Sequence, residues 1–173
     1  MANTFTKIAS TAVGSGGVSN IEFTSIPSTY TDLCLMYSIR TNRSDFAVDE
    51  MFITFNGNAT NYSSKTLVGA GGSASSGSGG TTQINKNWGD GNTGTSNTFS
   101  NQMIYIPNYA GSNYKSASLD GVAENNNTTE YWLYLTAGLW SNTSAITSIK
   151  MVPEVGSLIL QYSTATLYGI SNS

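Results

Sequence analysis

The sequence predicts an all-β protein, an antiparallel β-sandwich of the jelly-roll kind. Polar and apolar residues alternate over short segments that are rich in β-branched and aromatic residues. Clusters of Gly, Ser and Asn separate these segments and supply turns. No segment has the 3.6-residue periodicity of an amphipathic helix. About ten short strands with frequent turns are typical of a sandwich with Greek-key connections.

The alternation is clearest over residues 31–41. One face of this predicted strand carries the apolar residues Leu33, Leu35, Tyr37 and Ile39. Residues 50–56 repeat the pattern and place Met51, Ile53 and Phe55 on an inner face. The other predicted strands are residues 4–11, 19–24, 98–107, 114–122, 129–140, 145–152, 157–162 and 165–170.

One predicted strand differs from the rest because both of its faces are apolar. Residues 130–136 read Glu-Tyr-Trp-Leu-Tyr-Leu-Thr, with large side chains at successive positions. This pattern predicts either a central strand that is covered on both sides or a strand that faces a subunit interface.

No linker divides the chain of 173 residues, so we expect a single sandwich domain over residues 1–173. Residues 69–80 contain only Gly, Ala and Ser, which cannot bury apolar surface, and they predict a flexible loop. Residues 85–97 are rich in Asn and Gly and predict a second long loop, with Trp88 near its centre.

Charge excludes several classes of partner. Charged residues form 10% of the chain, against about 25% in an average domain. A net charge of -3 excludes the basic stripe of nucleic-acid binders. Among the basic residues only Arg40 and Arg43 lie close together, and we expect them at a strand end and its solvated turn.

The sequence also bears on location. No window reaches the 18 or more apolar residues of a membrane helix, and residues 1–7 lack the apolar core of a secretory signal. We therefore expect a soluble protein that is made in the cytoplasm and has no membrane partner.

Few catalytic arrangements are open to this chain. It has no histidine and one cysteine, Cys34, so histidine-dependent triads, zinc clusters and internal disulfides are excluded. We expect Cys34 in the core. Asp45, Asp49 and Glu50 are close in sequence, but we expect a solvated turn there, and neighbours on a strand point to opposite faces. We predict no catalytic residue and no cofactor.

Residues 85–97 hold the candidate interaction surface, which consists of Trp88 with Asn85, Asn87 and Asp90. An exposed Trp88 would stack on a sugar ring or fill a pocket on a partner. The alternative is that Trp88 folds back onto its own domain. Asn and Asp oxygens also suit Ca²⁺, but one carboxylate is weak charge for that ion, and we predict no metal site.

Four segments carry a resemblance to a known group of proteins: IEFTSIPSTYTDLCLMYSIRT (residues 21–41), FNGNATNYS (55–63), ITSIK (146–150) and ATLYGI (165–170). Together they resemble small β-sandwich virion proteins of tailed bacteriophages, which are well represented among cyanophages and other aquatic phages. The resemblance runs from about residue 4 to residue 170, apart from residues 69–97.

The resemblance implies a structural protein without catalytic residues. Members of the group are capsid decoration (cement) proteins or tail, fibre and collar components. We expect a homotrimeric decoration protein that binds the major capsid protein on the outer head shell. The loops and residues 1–6, as an arm, would make the contacts, and residues 69–80 would adapt between non-identical capsid sites. The alternative is a tail or fibre domain that binds a host surface glycan through Trp88.

Overall fold

A computed structural model describes residues 4–171, and over these residues the chain forms twelve β-strands and no helix. The strands are β1 (Phe5–Ala12), β2 (Ile21–Phe23), β3 (Asp32–Ser38), β4 (Val48–Phe55), β5 (Tyr62–Ala70), β6 (Ser73–Ser78), β7 (Trp88–Asp90), β8 (Asn101–Ile106), β9 (Lys115–Ala123), β10 (Trp132–Trp140), β11 (Ile149–Pro153) and β12 (Thr164–Ile170). This part of the chain accordingly has no helix that could cross a membrane.

The strands form two antiparallel sheets, which confirms the predicted all-β sandwich. The large sheet has the order β1-β12-β3-β8-β9-β10-β5-β6, and the small sheet has the order β2-β11-β4-β7. Along the chain, the eight strands of β1-β12-β3-β8 and β2-β11-β4-β7 change sheet at every step except from β4 to β7, which lie side by side in the small sheet. That order is the double Greek key of a jelly roll.

Two hairpins are inserted into this jelly roll. Strands β5 and β6 lie between β4 and β7 in sequence, and β9 and β10 lie between β8 and β11. Both hairpins join the large sheet beyond β8, in the order β9-β10-β5-β6. The large sheet is therefore twice as wide as the small sheet, and its added half forms the surface described below.

The core lies between the two sheets. Leu33, Leu35 and Tyr37 of β3 are buried, as are Met51 and Phe55 of β4, so the predicted inner faces of both strands are confirmed. Burying a side chain of this size stabilises the fold by about 1.5–3 kcal/mol. Cys34 is also buried, on the opposite face of β3 from Leu33.

The structure corrects the prediction of a loop over residues 69–80. Strand β5 continues to Ala70, and β6 returns from Ser73 in register with it. Gly71 and Gly72 join the two strands with φ angles of +55° and +82°. A two-residue turn with positive φ at both positions matches strand twist, and glycine adopts it without strain. The Gly/Ser run therefore encodes a hairpin.

Two other sequence predictions need correction. The predicted loop 85–97 contains the short strand β7, which pairs with β4. Residues 157–162, predicted as a strand, form only isolated bridges, from Ile159 to Val18 and Thr41. A turn ends this segment, because Tyr162 has a φ of +72°. Of the predicted arm, residues 1–3 lie outside the described residues, and from Phe5 onward the chain is β1, paired with β12.

Candidate functional site

Trp88 lies in the core and does not form an exposed platform. Its side chain is 5% exposed, and its ring centroid lies 4.4 Å from that of Trp132 and 5.3 Å from that of Tyr134. The pairing of β7 with β4 turns the indole inward. Of the two alternatives, Trp88 therefore folds back onto its own domain, and a sugar ring cannot stack on it.

The two asparagines predicted at the same surface serve internal contacts. Asn87 is fully buried; its Oδ1 accepts a hydrogen bond from the Tyr37 hydroxyl at 3.0 Å, and its Nδ2 donates to the Met51 carbonyl at 2.6 Å. The Oδ1 of Asn85 accepts from the Ser64 hydroxyl at 2.9 Å. These oxygens hold loops to strands, so they do not form a joint surface or cation site with Trp88.

Asp90, the fourth predicted surface residue, is a buried carboxyl group. Neither of its oxygens has a hydrogen-bond partner within the described part of the chain. Burial raises the pKa of Asp90 to about 6, while the nearby Thr98, Arg40 and Asn125 favour the charged form and oppose this rise. Asp90 is thus part of the interior and not of a binding surface.

Arg40, predicted at a strand end, lies just after β3 and is buried. Its guanidinium donates at 2.8–3.2 Å to four backbone carbonyls, those of Asn92, Gly94, Thr95 and Thr98. The guanidinium has five N–H donors in a fixed planar arrangement, so it can bond several carbonyls at once. Arg40 therefore holds the chain between β7 and β8 in place.

The acidic residues are also structural. Asp49 and Glu50 are buried, which corrects the predicted solvated turn. Asp49 accepts hydrogen bonds from the Thr41 hydroxyl at 2.8 Å and the Gly156 amide at 2.9 Å, whereas Glu50 accepts from the Lys86 amide. Within residues 4–171 no three acidic or cysteine side chains lie close enough to hold a metal ion.

The clearest surface feature is an apolar patch on the outer face of the large sheet. We name it the leucine face and define it by four side chains on β5, β9 and β10. Their exposed fractions are 64% for Leu67, 44% for Val122, 58% for Leu133 and 55% for Leu135. The alternate residues of these strands point inward, so the face is the second apolar side of β10. Within residues 4–171 no strand covers this face, so residues 130–136 do not form a strand that the chain itself covers on both sides.

The register places these side chains side by side. Leu135 lies opposite Leu67 on β5 and Asp120 on β9, and Leu133 lies opposite Val122. Directly opposed residues on one face have Cβ atoms about 4.5–5.5 Å apart. The four apolar side chains therefore form one contiguous patch.

Sequence reasoning missed Leu67, one of the four residues of this patch, because it assigned no strand to β5. Alternation was present, since Lys65, Leu67 and Gly69 point outward and Ser64 and Thr66 point inward. The inward residues are polar, however. Thr66 is buried and receives a hydrogen bond from the Thr136 hydroxyl on β10. A buried polar strand lacks the apolar alternation that a sequence pattern detects.

A second exposed feature is a shallow groove beside Tyr162. This side chain is 70% exposed. The groove has a volume of about 380 Å³, and its lining includes the polar residues Asn92, Asn97 and Gln161. The groove contains none of the four predicted surface residues, although Asn92, Ser96 and Asn97 in its lining belong to the predicted loop 85–97.

No model of a known protein family and no curated protein sequence matches this chain. The resemblance to phage virion proteins thus rests on the four sequence segments alone.

Proposed function

We propose that this chain is a non-enzymatic structural protein of a tailed-phage virion, and specifically a capsid decoration protein. It binds the outer head shell as a homotrimer and stabilises the shell by adding buried interface between capsid subunits. Its partners are its own copies and the major capsid protein, and it uses no cofactor.

The observation that carries this proposal is the leucine face. Monomeric proteins rarely expose a contiguous apolar patch of more than a few hundred Å². Leu67, Val122, Leu133 and Leu135 form a contiguous apolar patch across the three neighbouring strands β9, β10 and β5. Such a face supports a protein that works in an assembly. The rigid sandwich and the resemblance to virion proteins support the same role.

The experiment compares phage heads with and without the chain. Particles from a deletion mutant are heated or moved to low salt, and release of DNA is followed with a fluorescent dye. We expect release at a lower temperature from heads that lack the protein, with recovery when the purified chain is added back. Equal release temperatures for both kinds of head would contradict the proposal.

A second candidate function, binding of a host surface glycan from a tail or fibre, is favoured by Tyr162. The Ser163 amide donates to the Leu160 carbonyl at 3.2 Å, which makes Tyr162 the third residue of a turn. Its φ of +72° fits a type II turn, where glycine or asparagine is the unstrained choice. A strained, exposed aromatic beside amide side chains suits stacking on a sugar ring.

Tyr162→Gly tests this candidate because it separates binding from folding. We expect the variant to be more stable than the natural chain by about 1 kcal/mol, since glycine relieves the left-handed strain. If the second candidate is right, the variant also loses binding to polysaccharide extracted from the host bacterium. If decoration is right, it still restores the heat resistance of deficient heads. Unchanged polysaccharide binding would exclude the groove as a glycan site.

A further inference from the structure

We infer that the leucine face binds other copies of this chain, with the β9 side of one copy against the β5 side of the next. The partner at the leucine face is thus another copy of the chain. This inference depends on the proposed function only for the expected number of copies, which is three.

Charge on the leucine face favours a second copy as the occupant. Lys65 lies on β5 and Asp120 lies on β9, and both are exposed on opposite flanks of the apolar patch. The strand register places Asp120 opposite Leu135. It places Lys65 opposite Ala137, which is two residues further along β10. Strand spacing separates their Cα atoms by about 12 Å within one copy. Among the described residues of one copy, neither charge forms an ion pair, and the Lys65 ammonium donates to the Ser78 hydroxyl at 2.6 Å.

This pattern selects the direction of the symmetry axis. An axis parallel to β10 brings the β9 side of one copy over the β5 side of another, so Asp120 meets Lys65 of the neighbour. An axis across the strands would bring β9 over β9 and place two Asp120 carboxylates close together, where like charges repel. A twofold or a threefold axis along β10 allows this pairing of opposite charges. For the proposed decoration protein, which is a trimer, the axis is threefold.

The shape of the face is also self-complementary. Leu67 and Leu135 form a ridge with a shallow groove on each side, of about 470 Å³ and 350 Å³. Small residues line both grooves. They are Gly77 and Ala137 in the larger, and Gly69 and Ala74 in the smaller. A leucine from a neighbouring copy can enter such a groove, as knobs enter holes between packed elements.

The test measures the oligomeric state of the purified full chain at micromolar concentration by light scattering and native mass spectrometry. We expect a trimer for the natural sequence and a monomer for Leu67→Asp, which sets a new carboxylate against Asp120 of the neighbour. The matched control is Tyr114→Asp, because Tyr114 is 57% exposed but lies outside the leucine face. It should remain trimeric. A monomeric natural chain, or equal dissociation of both variants, would overturn the inference.

Charge reversal tests the register even if Leu67→Asp fails to fold. Lys65→Glu and Asp120→Lys should each raise the dissociation constant at least tenfold, and the double variant should recover most of the loss. Circular dichroism checks that every variant is folded. Single reversals that leave association unchanged, or a double variant that is no better than the singles, would overturn the proposed axis.

These results are separable from the fate of the proposed function. A trimer that is absent from phage heads contradicts decoration and supports the inference. A monomer that still restores deficient heads supports decoration and overturns the inference.

Discussion

At the scale of single residues, Asp90 and Arg40 are two of the few charged residues of this chain, and both are buried. Arg40 satisfies its guanidinium on backbone carbonyls such as those of Gly94 and Thr95. The two carboxyl oxygens of Asp90 have no hydrogen-bond partner among the described residues. Burying a carboxylate without such partners is unfavourable, because it loses its hydration. The neutral form of Asp90 is thus favoured by folding.

Asp90 gives the stability of the protein a pH dependence of known sign. Its pKa rises from the model-peptide value of 3.8 to about 6 on folding, so the native state binds more protons than the unfolded state between these values. Its contribution is present below pH 3.8 and is lost as pH rises through 6. The charged groups that face it are Arg40, which opposes the shift, and Glu124, which adds to it.

Asp90→Asn should remove this dependence. We expect urea unfolding to show that the free energy of unfolding of Asp90→Asn, minus that of the natural chain, increases by about 1–2 kcal/mol from pH 4 to pH 7. Asp45→Asn is the control with opposite sign, because the hydrogen bond from Arg43 lowers the pKa of Asp45. Its relative stability should rise only as the pH is lowered below 3.8, where the natural carboxylate becomes protonated and loses its interaction with Arg43. A constant difference for Asp90→Asn would contradict the account.

Trp88 marks the limit of residue-level prediction. The Asn/Gly-rich composition around it indicates a loop, and loops lie at the surface. Burial of Trp88 depends on its pairing with Glu50 in β4 and on contact with Trp132 in β10, both far away in sequence. Such contacts are set by the fold and leave no local pattern. The buried Asp49 and Arg40 escaped prediction for the same reason.

At the scale of elements, the β5–β6 hairpin widens the sheet and provides one flank of the leucine face. Its turn depends on Gly71, whose φ is +55° and whose added Cβ would lie 3.0 Å from the Thr129 carbonyl oxygen. Gly77, in β6, has no positive φ, and its added Cβ would make only an ordinary 3.6 Å contact with Thr66. Gly71 is therefore required by the turn conformation, whereas the conformation of β6 does not require glycine at position 77.

Alanine at these two glycines should have opposite effects. Gly71→Ala should destabilise the hairpin by about 1–2 kcal/mol, because alanine is strained in the left-handed region. Gly77→Ala should stabilise it by about 0.4–1 kcal/mol, since alanine narrows the unfolded ensemble. Hydrogen exchange of the β5 and β6 amides measures both changes. Equal effects would show that residues 69–80 do not form this hairpin.

Strands with an apolar inner face could be predicted, and strands without one could not. Residues 31–41 and 50–56 alternate cleanly; the first range contains β3, and the second covers all of β4 except its first two residues. Strand β5 buries Ser64 and Thr66, and β6 is built from Ser, Ala and Gly, so neither has apolar periodicity. Pairing with β10 holds β5 in place through backbone hydrogen bonds, which every residue supplies.

At the scale of the whole molecule, two inserted hairpins widen one sheet of the jelly roll. The inward residues of these hairpins, such as Leu119 and Trp140, belong to the core, and outward residues form the leucine face. Sequence reasoning reached the sandwich and the two-sided apolarity of residues 130–136. It did not reach the leucine face, because Leu67 and Leu135 meet only through sheet register.

The location of the chain in the phage particle tests the central claim most directly. Immunogold electron microscopy of intact phage particles, with antibody raised against this chain, shows that location without any variant. The account predicts gold spread over the head in many copies per particle. Gold confined to the tail or neck would contradict capsid decoration and would make the Tyr162 groove the site to examine next.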